Sequence, residues 1–257
     1  MNLVVDIGNS NIVIGLESKG SYPNVWRIPT DVSKISAEYE ILLRQNLLEN
    51  DIETKLIEAI SISSVVPDLT DPIARACSNL FGIDPFIIDG RIIEQLELGI
   101  DNPYEIGTDL ASNAVGAFEL AKHSCIVVDF GTALTFTSVS QEGKILGVAI
   151  APGVKTAMKA LSSNTAKLPE IPLEIPERFI GRNTIQAMQS GIMQGYVGMV
   201  KHMIAETSKE IGEKPVVIAT GGLSFVFKPL LGEAIDQISP NLTLDGILTI
   251  KSKAAKF

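Results

Sequence analysis

Cysteine, histidine and positive charge are all scarce in this chain, and each scarcity closes a functional class. Cys77 and Cys125 are the only cysteines, so neither a disulfide framework nor a cysteine-rich metal centre is available. His123 and His202 are the only histidines; they are isolated and lack the partner pattern of a triad or a zinc site, which leaves them packed or solvent-facing roles. Lys and Arg number 21 against 30 Asp and Glu, a net charge of -9. That balance argues against a broad nucleic-acid surface but not against a nucleotide, whose phosphates are often held by backbone N–H groups and a metal ion. No apolar run approaches the roughly 18 residues of a membrane helix. The opening MNLVVDIGNS puts Asp6 where a signal peptide needs a basic start and an apolar stretch. A soluble cytoplasmic protein is expected, with neither nucleic acid nor membrane as partner.

The 257 residues, 46% of them hydrophobic and 20% charged, suffice for a substantial core in two lobes. Two lobes are also suggested by an internal echo. LVVDIGNSNIVIGLE from Leu3 resembles IVVDFGTALTFTSVS from Ile126. Each reads as an apolar strand, an Asp, one residue, a Gly, a small polar residue and a second β-rich run. The division expected is 1–120 and 121–257. Between the echoes, EYEILLRQNLLEN reads as a helix and AISISSVV as a buried strand. A helix is expected from about Asp71 to Phe81, PFIIDG reads as a short strand, and another helix should start at Asp109. After the second echo come a strand in GKILGVAIAPG, the Pro-rich KLPEIPLEIPERF, a long helix from Thr184 to about Ile211, and strand and turn in KPVVIATGG. Strands alternating with helices indicate an α/β fold.

Three segments can carry chemistry. In Asp6-Ile7-Gly8-Asn9-Ser10-Asn11, a glycine at a strand-turn-strand corner lets backbone N–H groups approach phosphate oxygens. The Asp at the strand end can hold magnesium; an ordinary hairpin turn is the plainer reading. Asp129-Phe130-Gly131-Thr132 repeats the arrangement, with a hydroxyl for phosphate and a carboxylate for a cation. Ala219-Thr220-Gly221-Gly222 follows a buried strand and permits close approach of a flat ligand such as adenine, or is a plain left-handed turn. Together they match the phosphate-1, phosphate-2 and adenosine layout of the actin, sugar-kinase and chaperone ATPase superfamily. Rival signatures are missing: no G-x-x-x-x-G-K-[ST], no strand-linked G-x-G-x-x-G and no G-x-S-x-G.

More specifically, the chain resembles the type III pantothenate kinase family over nearly its whole length. The likeness rests on DIGNSNIVIGL at Asp6, SSVVP at Ser63, DNPYEIGTD at Asp101, VVDFGTALTFT at Val127, ILGVAIAPGV at Ile145, ALSSNTAKLP at Ala160, GRNTIQAMQSGIMQGY at Gly181 and TGGL at Thr220. It implies a ribonuclease-H/actin-like fold of two related lobes, mixed sheets flanked by helices, with a cleft between them. It implies ATP-dependent phosphorylation of pantothenate to 4′-phosphopantothenate, the first step of coenzyme A biosynthesis. The loop Asp6, Ile7, Gly8, Asn9, Ser10, Asn11, Ile12 and Val13 would bind the ATP phosphates, with Asp6 near Mg2+ and Thr132 touching ATP. Asp129 would hold a monovalent cation, K+ or NH4+. Asp109 would be the general base, although a helix N-cap suits it equally. Ile100, Gly107, Thr108, Asp109 and Leu110 would face pantothenate, with Thr184 reaching it across a homodimer interface.

Three positions depart from the family pattern. Leu110 stands where an Arg usually follows the Asp, Ile100 where a Tyr usually precedes the Asx-Asn-Pro turn, and Val148 where a Gly is usual. An Arg–carboxylate hydrogen bond contributes roughly 1.5–3 kcal/mol. Arg182 or Lys155 can supply that charge from elsewhere, the acceptor can be a less polar pantothenate relative, or turnover can be weak. The last would make the chain a nucleotide-binding accessory or regulatory protein. An acetate, sugar or polyphosphate enzyme of the same superfamily is a further reading, against which the GRNT and TAKLP segments argue.

Overall fold

The computed structural model describes residues 1–256. The first run of elements is β1 (Asn2–Ile7), β2 (Asn11–Ser18), β3 (Ser21–Pro29), α1 (Ser36–Glu49), β4 (Ala59–Ser64), α2 (Pro67–Phe81), β5 (Phe86–Ile87), α3 (Gly90–Gln95) and α4 (Thr108–Ala121). A second run comprises β6 (Cys125–Phe130), β7 (Ala133–Val139), β8 (Ile145–Pro152), α5 (Val154–Ser163), α6 (Thr184–Ile211), β9 (Val216–Thr220), α7 (Ser224–Leu231), β10 (Gln237–Ile238) and α8 (Leu242–Ala254).

The strands form two five-stranded mixed sheets of one topology, β3-β2-β1-β4-β5 and β8-β7-β6-β9-β10. In each, an antiparallel meander supplies one half, and two strands join in parallel beside the first: β1 pairs β2 antiparallel and β4 parallel, as β6 pairs β7 and β9. The echo at Leu3 and Ile126 is therefore a duplicated α/β fold of the ribonuclease-H/actin-like type. Its central strands are apolar on both faces because both faces are covered: Leu3, Val4 and Val5 are buried, as are Ile126, Val127 and Val128.

The chain divides into two compact units, Met1–Glu119 with Asn241 onward, and Leu120–Pro240. In the first unit, Leu3, Val5, Ile7 and Ile62 pack with Leu43, Leu69 and Ile73 of α1 and α2. In the second, Ile126, Val128 and Phe130 pack with Met193 and Val200 of α6 and Phe227 of α7. The Phe130 and Phe227 rings stack at 5.0 Å.

Contiguity alone, as in a division at 120/121, assigns α8 to the second half of the chain, whereas α8 packs in the first unit. It lies against β1 and β4 with Leu242, Leu244, Ile247 and Ile250 buried. Its approach to α4 is backbone on backbone: a Cβ on Gly246 would collide with the Ser112 carbonyl, and one on Gly116 would sit 2.8 Å from Leu242 O. Thr243 Oγ1 also donates to Asn113 Oδ1 at 2.8 Å.

Helix boundaries follow local chemistry. α2 starts at Pro67 rather than near Asp71, since proline at the first helical position gives up no intrahelical bond. α6 spans Thr184–Ile211 as expected, capped by Asn183, whose side chain accepts from Gln186 N, and ended by Gly212 at φ 82°. The Pro-rich stretch before it, 168–176, forms no regular element.

Candidate active site

In the first unit the turn after β1 is built around Gly8. Its N–H donates to Asn11 O at 3.0 Å, and a Cβ there would lie 3.0 Å from that same oxygen. Thr30, just past β3, braces the turn from outside: Oγ1 donates to Gly8 O at 2.6 Å and its N–H to Ser10 O at 3.1 Å. Ile7 and Ile12 are buried, so only their backbones are available to a ligand, while Asn9, Ser10 and Asn11 are exposed. Asp6 is half-buried at the end of β1, with Val13 opposite on β2 and Ser63 opposite on β4.

α4 is tied to the same sheet, at β4, by Thr108, the residue before Asp109. The Gly107 carbonyl accepts from Ala111 N at 3.1 Å, so the helix begins at Thr108 and Asp109 lies within its first turn, not at its cap. Gly107 leaves room for the Asp109 carboxylate where it stands: a Cβ there would meet Oδ1 and displace that side chain. Burial raises the Asp109 carboxyl above the ordinary aspartate range, opposed by the Leu110 N–H, which donates to Oδ1 at 2.7 Å. The Thr108 hydroxyl points the other way, to Ser63 and Ser64 of β4. Leu110 is half-buried. Ile100 helps to line a cavity of about 270 Å³ with Ile93, Leu98 and Pro103, and with the acidic Glu94 and Glu97. No Lys or Arg lines this cavity, so it offers no cation in place of the missing Arg.

In the second unit the turn after β6 is shorter. Gly131 N donates to Ala133 O at 3.1 Å, and Thr132 is exposed. The segment after β8 is folded onto it: Gly153 N donates to Thr132 O at 3.0 Å, and Thr156 Oγ1 donates to the same oxygen at 2.8 Å. Any side chain at Gly153 would strike the Thr132 and Gly131 carbonyls, which gives the Ala-Pro-Gly sequence its physical reason. Tyr196 on α6 secures the segment by donating to Pro152 O at 2.7 Å. Asp129 is half-buried, opposite Thr220 on β9. Gly221 adopts φ +85°, and a Cβ there would press on Asp129 Oδ1 and the Phe130 backbone.

Thr184 is exposed at the start of α6, and Arg182 and Lys155 are also exposed in this unit. Thr30 and Thr156 lie in no motif, and Tyr196 closes the GRNTIQAMQSGIMQGY segment with nothing there to show its partner; each acts across a separation of 22 or more residues. Among the described residues no group of three or more His, Cys, Asp or Glu could hold a metal ion by itself. No described helix is long and apolar enough to cross a membrane.

Duplicated mixed sheets, each followed after its first strand by an Asp-x-Gly-polar turn, define an actin/sugar-kinase-like fold. Solved structures agree on the fold. A Campylobacter jejuni protein assigned to the Baf family of transcriptional activators superposes with TM-score 0.60 at 17% identity, covering 99% of this chain and 100% of that one. The activator of 2-hydroxyisocaproyl-CoA dehydratase from Clostridium difficile, with bound ADPNP, gives TM-score 0.55 at 10% identity over 99% and 96%. A family model described as type III pantothenate kinase matches residues 2–206. The type III pantothenate kinase of Moorella thermoacetica is 39% identical over 247 residues, 96% of this chain and 97% of that one. The chain belongs to the type III pantothenate kinase family. Membership in a kinase family implies ATP with a divalent metal ion.

Proposed function

We propose that this chain transfers the γ-phosphoryl group of ATP to the primary hydroxyl of pantothenate, giving 4′-phosphopantothenate for coenzyme A biosynthesis. The observation that carries the reading is Asp109, a carboxylate held half-buried in the first turn of α4 above a glycine that leaves it room. There it can accept the hydroxyl proton as the oxygen attacks phosphorus. Leu110 and Ile100 give the acceptor aliphatic contact, and Gly107 and Thr108 give it backbone. Thr184 belongs to the acceptor side through a homodimer, and Arg182 or Lys155 supplies the charge for the pantothenate carboxylate.

On the donor side, the backbone of Asp6 to Val13 and the Thr132 hydroxyl take phosphate oxygens. The donor set suits magnesium, which commonly keeps one or two carboxylates, the nucleotide's phosphates and water. Asp6 would hold it, and the ion would offset the phosphate charge. Asp129 would hold K+ or NH4+, beside Gly221, where any Cβ would meet the carboxylate. A cytoplasmic setting suits both substrates.

The test is a coupled assay of ADP release with magnesium and potassium. Pantothenate-dependent turnover is expected, with Asp109→Asn reducing kcat by about 10²- to 10⁴-fold. Absence of pantothenate-dependent ADP release at saturating substrate would sink the reading.

A further inference from the structure

We propose that Ser63 and Thr108 form a positioning pair that fixes the Asp109 carboxylate relative to the end of β1; the inference rests on Asp109 being the base. Ser63 is 0% and Thr108 9% exposed. Their hydroxyl oxygens lie 2.8 Å apart. Thr108 Oγ1 also accepts from Ser64 N at 3.1 Å and donates to Ser64 O at 3.0 Å. A hydroxyl has one donor and two acceptor sites. With its proton committed to the Ser64 carbonyl, Thr108 accepts from both the Ser64 N–H and the Ser63 O–H, and its capacity is filled.

Two consequences follow. A saturated, buried hydroxyl has nothing left for a substrate, so the Thr108 side chain serves position rather than contact. The same three bonds tie the first residue of α4 to the last two residues of β4. Ser63 lies in register with Asp6 on β1, so the chain Asp6–Ser63–Thr108–Asp109 joins the phosphate-turn strand to the base. Ser112 tightens the helix behind it, its Oγ donating to Thr108 O at 2.7 Å. Buried, fully satisfied hydrogen-bond networks of this kind specify geometry more than they add net stability.

The test places Ser63→Ala and Thr108→Val in the wild-type chain and in the Asp109→Asn background, with steady-state kinetics and thermal melting of each. Misplacing a reacting group by an ångström is worth on the order of 100-fold, so each single variant should lower kcat by roughly 10- to 100-fold. The KM for ATP should stay within about 2-fold, because the donor turn keeps its own braces. Thr108→Ser, which keeps the hydroxyl, should recover most of the loss. In the Asp109→Asn background neither substitution should cost anything further, since the pair acts through the carboxylate. The proposal is overturned if the single variants match wild type. It is equally overturned if their fold-loss is the same with and without Asp109, which marks a merely structural bond. Full activity of Asp109→Asn would remove the base and this proposal together, whereas an inactive Asp109→Asn beside fully active Ser63→Ala would remove only the proposal.

Discussion

The two units solve one problem in two ways. Each carries an Asp one residue before the end of its first strand, pairs that strand with a parallel neighbour carrying a hydroxyl at the Asp position (Ser63 or Thr220), and turns through a glycine. In the first unit the turn runs Gly8, Asn9, Ser10, Asn11 between the paired Ile7 and Ile12; in the second it runs Gly131, Thr132, Ala133 between Phe130 and Leu134. The longer turn is braced by Thr30, through its hydroxyl to Gly8 O and its N–H to Ser10 O. The shorter one is braced chiefly by backbone brought into contact, at Gly153 and Gly221. A hydroxyl brace tolerates small adjustments, whereas a backbone brace demands glycine. The same sheet topology therefore places different restrictions on sequence in its two copies.

The severest break expected is in the element only the first unit acquires from the far end of the chain. Gly246→Ala drives a methyl group into the Ser112 carbonyl. It should cost more than about 3 kcal/mol, seen as loss of the cooperative unfolding transition or of soluble protein. A modest shift in denaturation midpoint would mean that α8 can slide off α4.

Next comes a contrast within the second unit. Gly221→Ala meets both a positive φ and the Asp129 carboxylate, and should cost about 2–3 kcal/mol in urea denaturation. Gly131→Ala, whose nearest contacts are 3.3 Å and 3.5 Å, should cost less than about 1 kcal/mol. If Gly131→Ala proved the worse of the two, the backbone-brace account of this unit would be wrong.

In the first unit, Thr30→Val removes the hydroxyl brace without changing shape. A loss of about 1 kcal/mol, or up to ~5-fold in the KM for ATP, is expected. Each variant keeps one backbone bond, Thr30 N to Ser10 O or Gly153 N to Thr132 O; the counterpart, Thr156→Val, should do less, because the close approach of Gly153 and Gly221 also holds the second turn. Equal effects in the two units would erase the distinction between their turns.

The mildest effect is a displacement along the pH axis. Asp109 must be ionised to accept a proton, and burial raises its pKa. The acid limb of kcat/KM should therefore lie above the ordinary aspartate value of about 3.9. The sign for stability runs opposite to that of a salt-bridged aspartate. A folded-state pKa above the unfolded one makes this group's contribution greatest below the unfolded value, and the contribution is lost as pH rises through the folded one. Asp109→Asn should thus melt slightly higher than wild type at neutral pH while losing activity. A lower midpoint would show that the carboxylate is held by partners rather than only desolvated.

Much of this protein was legible before any coordinates. The echo at Leu3 and Ile126, the apolar runs of β1 and β6, and the Asn183 cap and Gly212 stop of α6 depend on residues within a few positions of one another, where propensity and pattern act directly. The Asp-x-Gly turns were visible for the same reason, and the family likeness singled out Asp109. The start of α4 was read one residue late because Thr108 resembles loop until its hydroxyl is seen engaged by β4.

What sequence order could not express is which distant segments meet. That α8 returns to the first unit, that Thr30 closes over Gly8, that Gly153 and Gly221 press on the second turn, and that the Thr108 hydroxyl faces Ser63 are contacts between residues far apart in the chain. They are decided by close packing, in which a single Cβ or hydroxyl determines whether two backbones approach. The sequence by itself determined the duplicated scaffold and the chemical identity of its two turns. Only the tertiary structure decided how each turn is held in place.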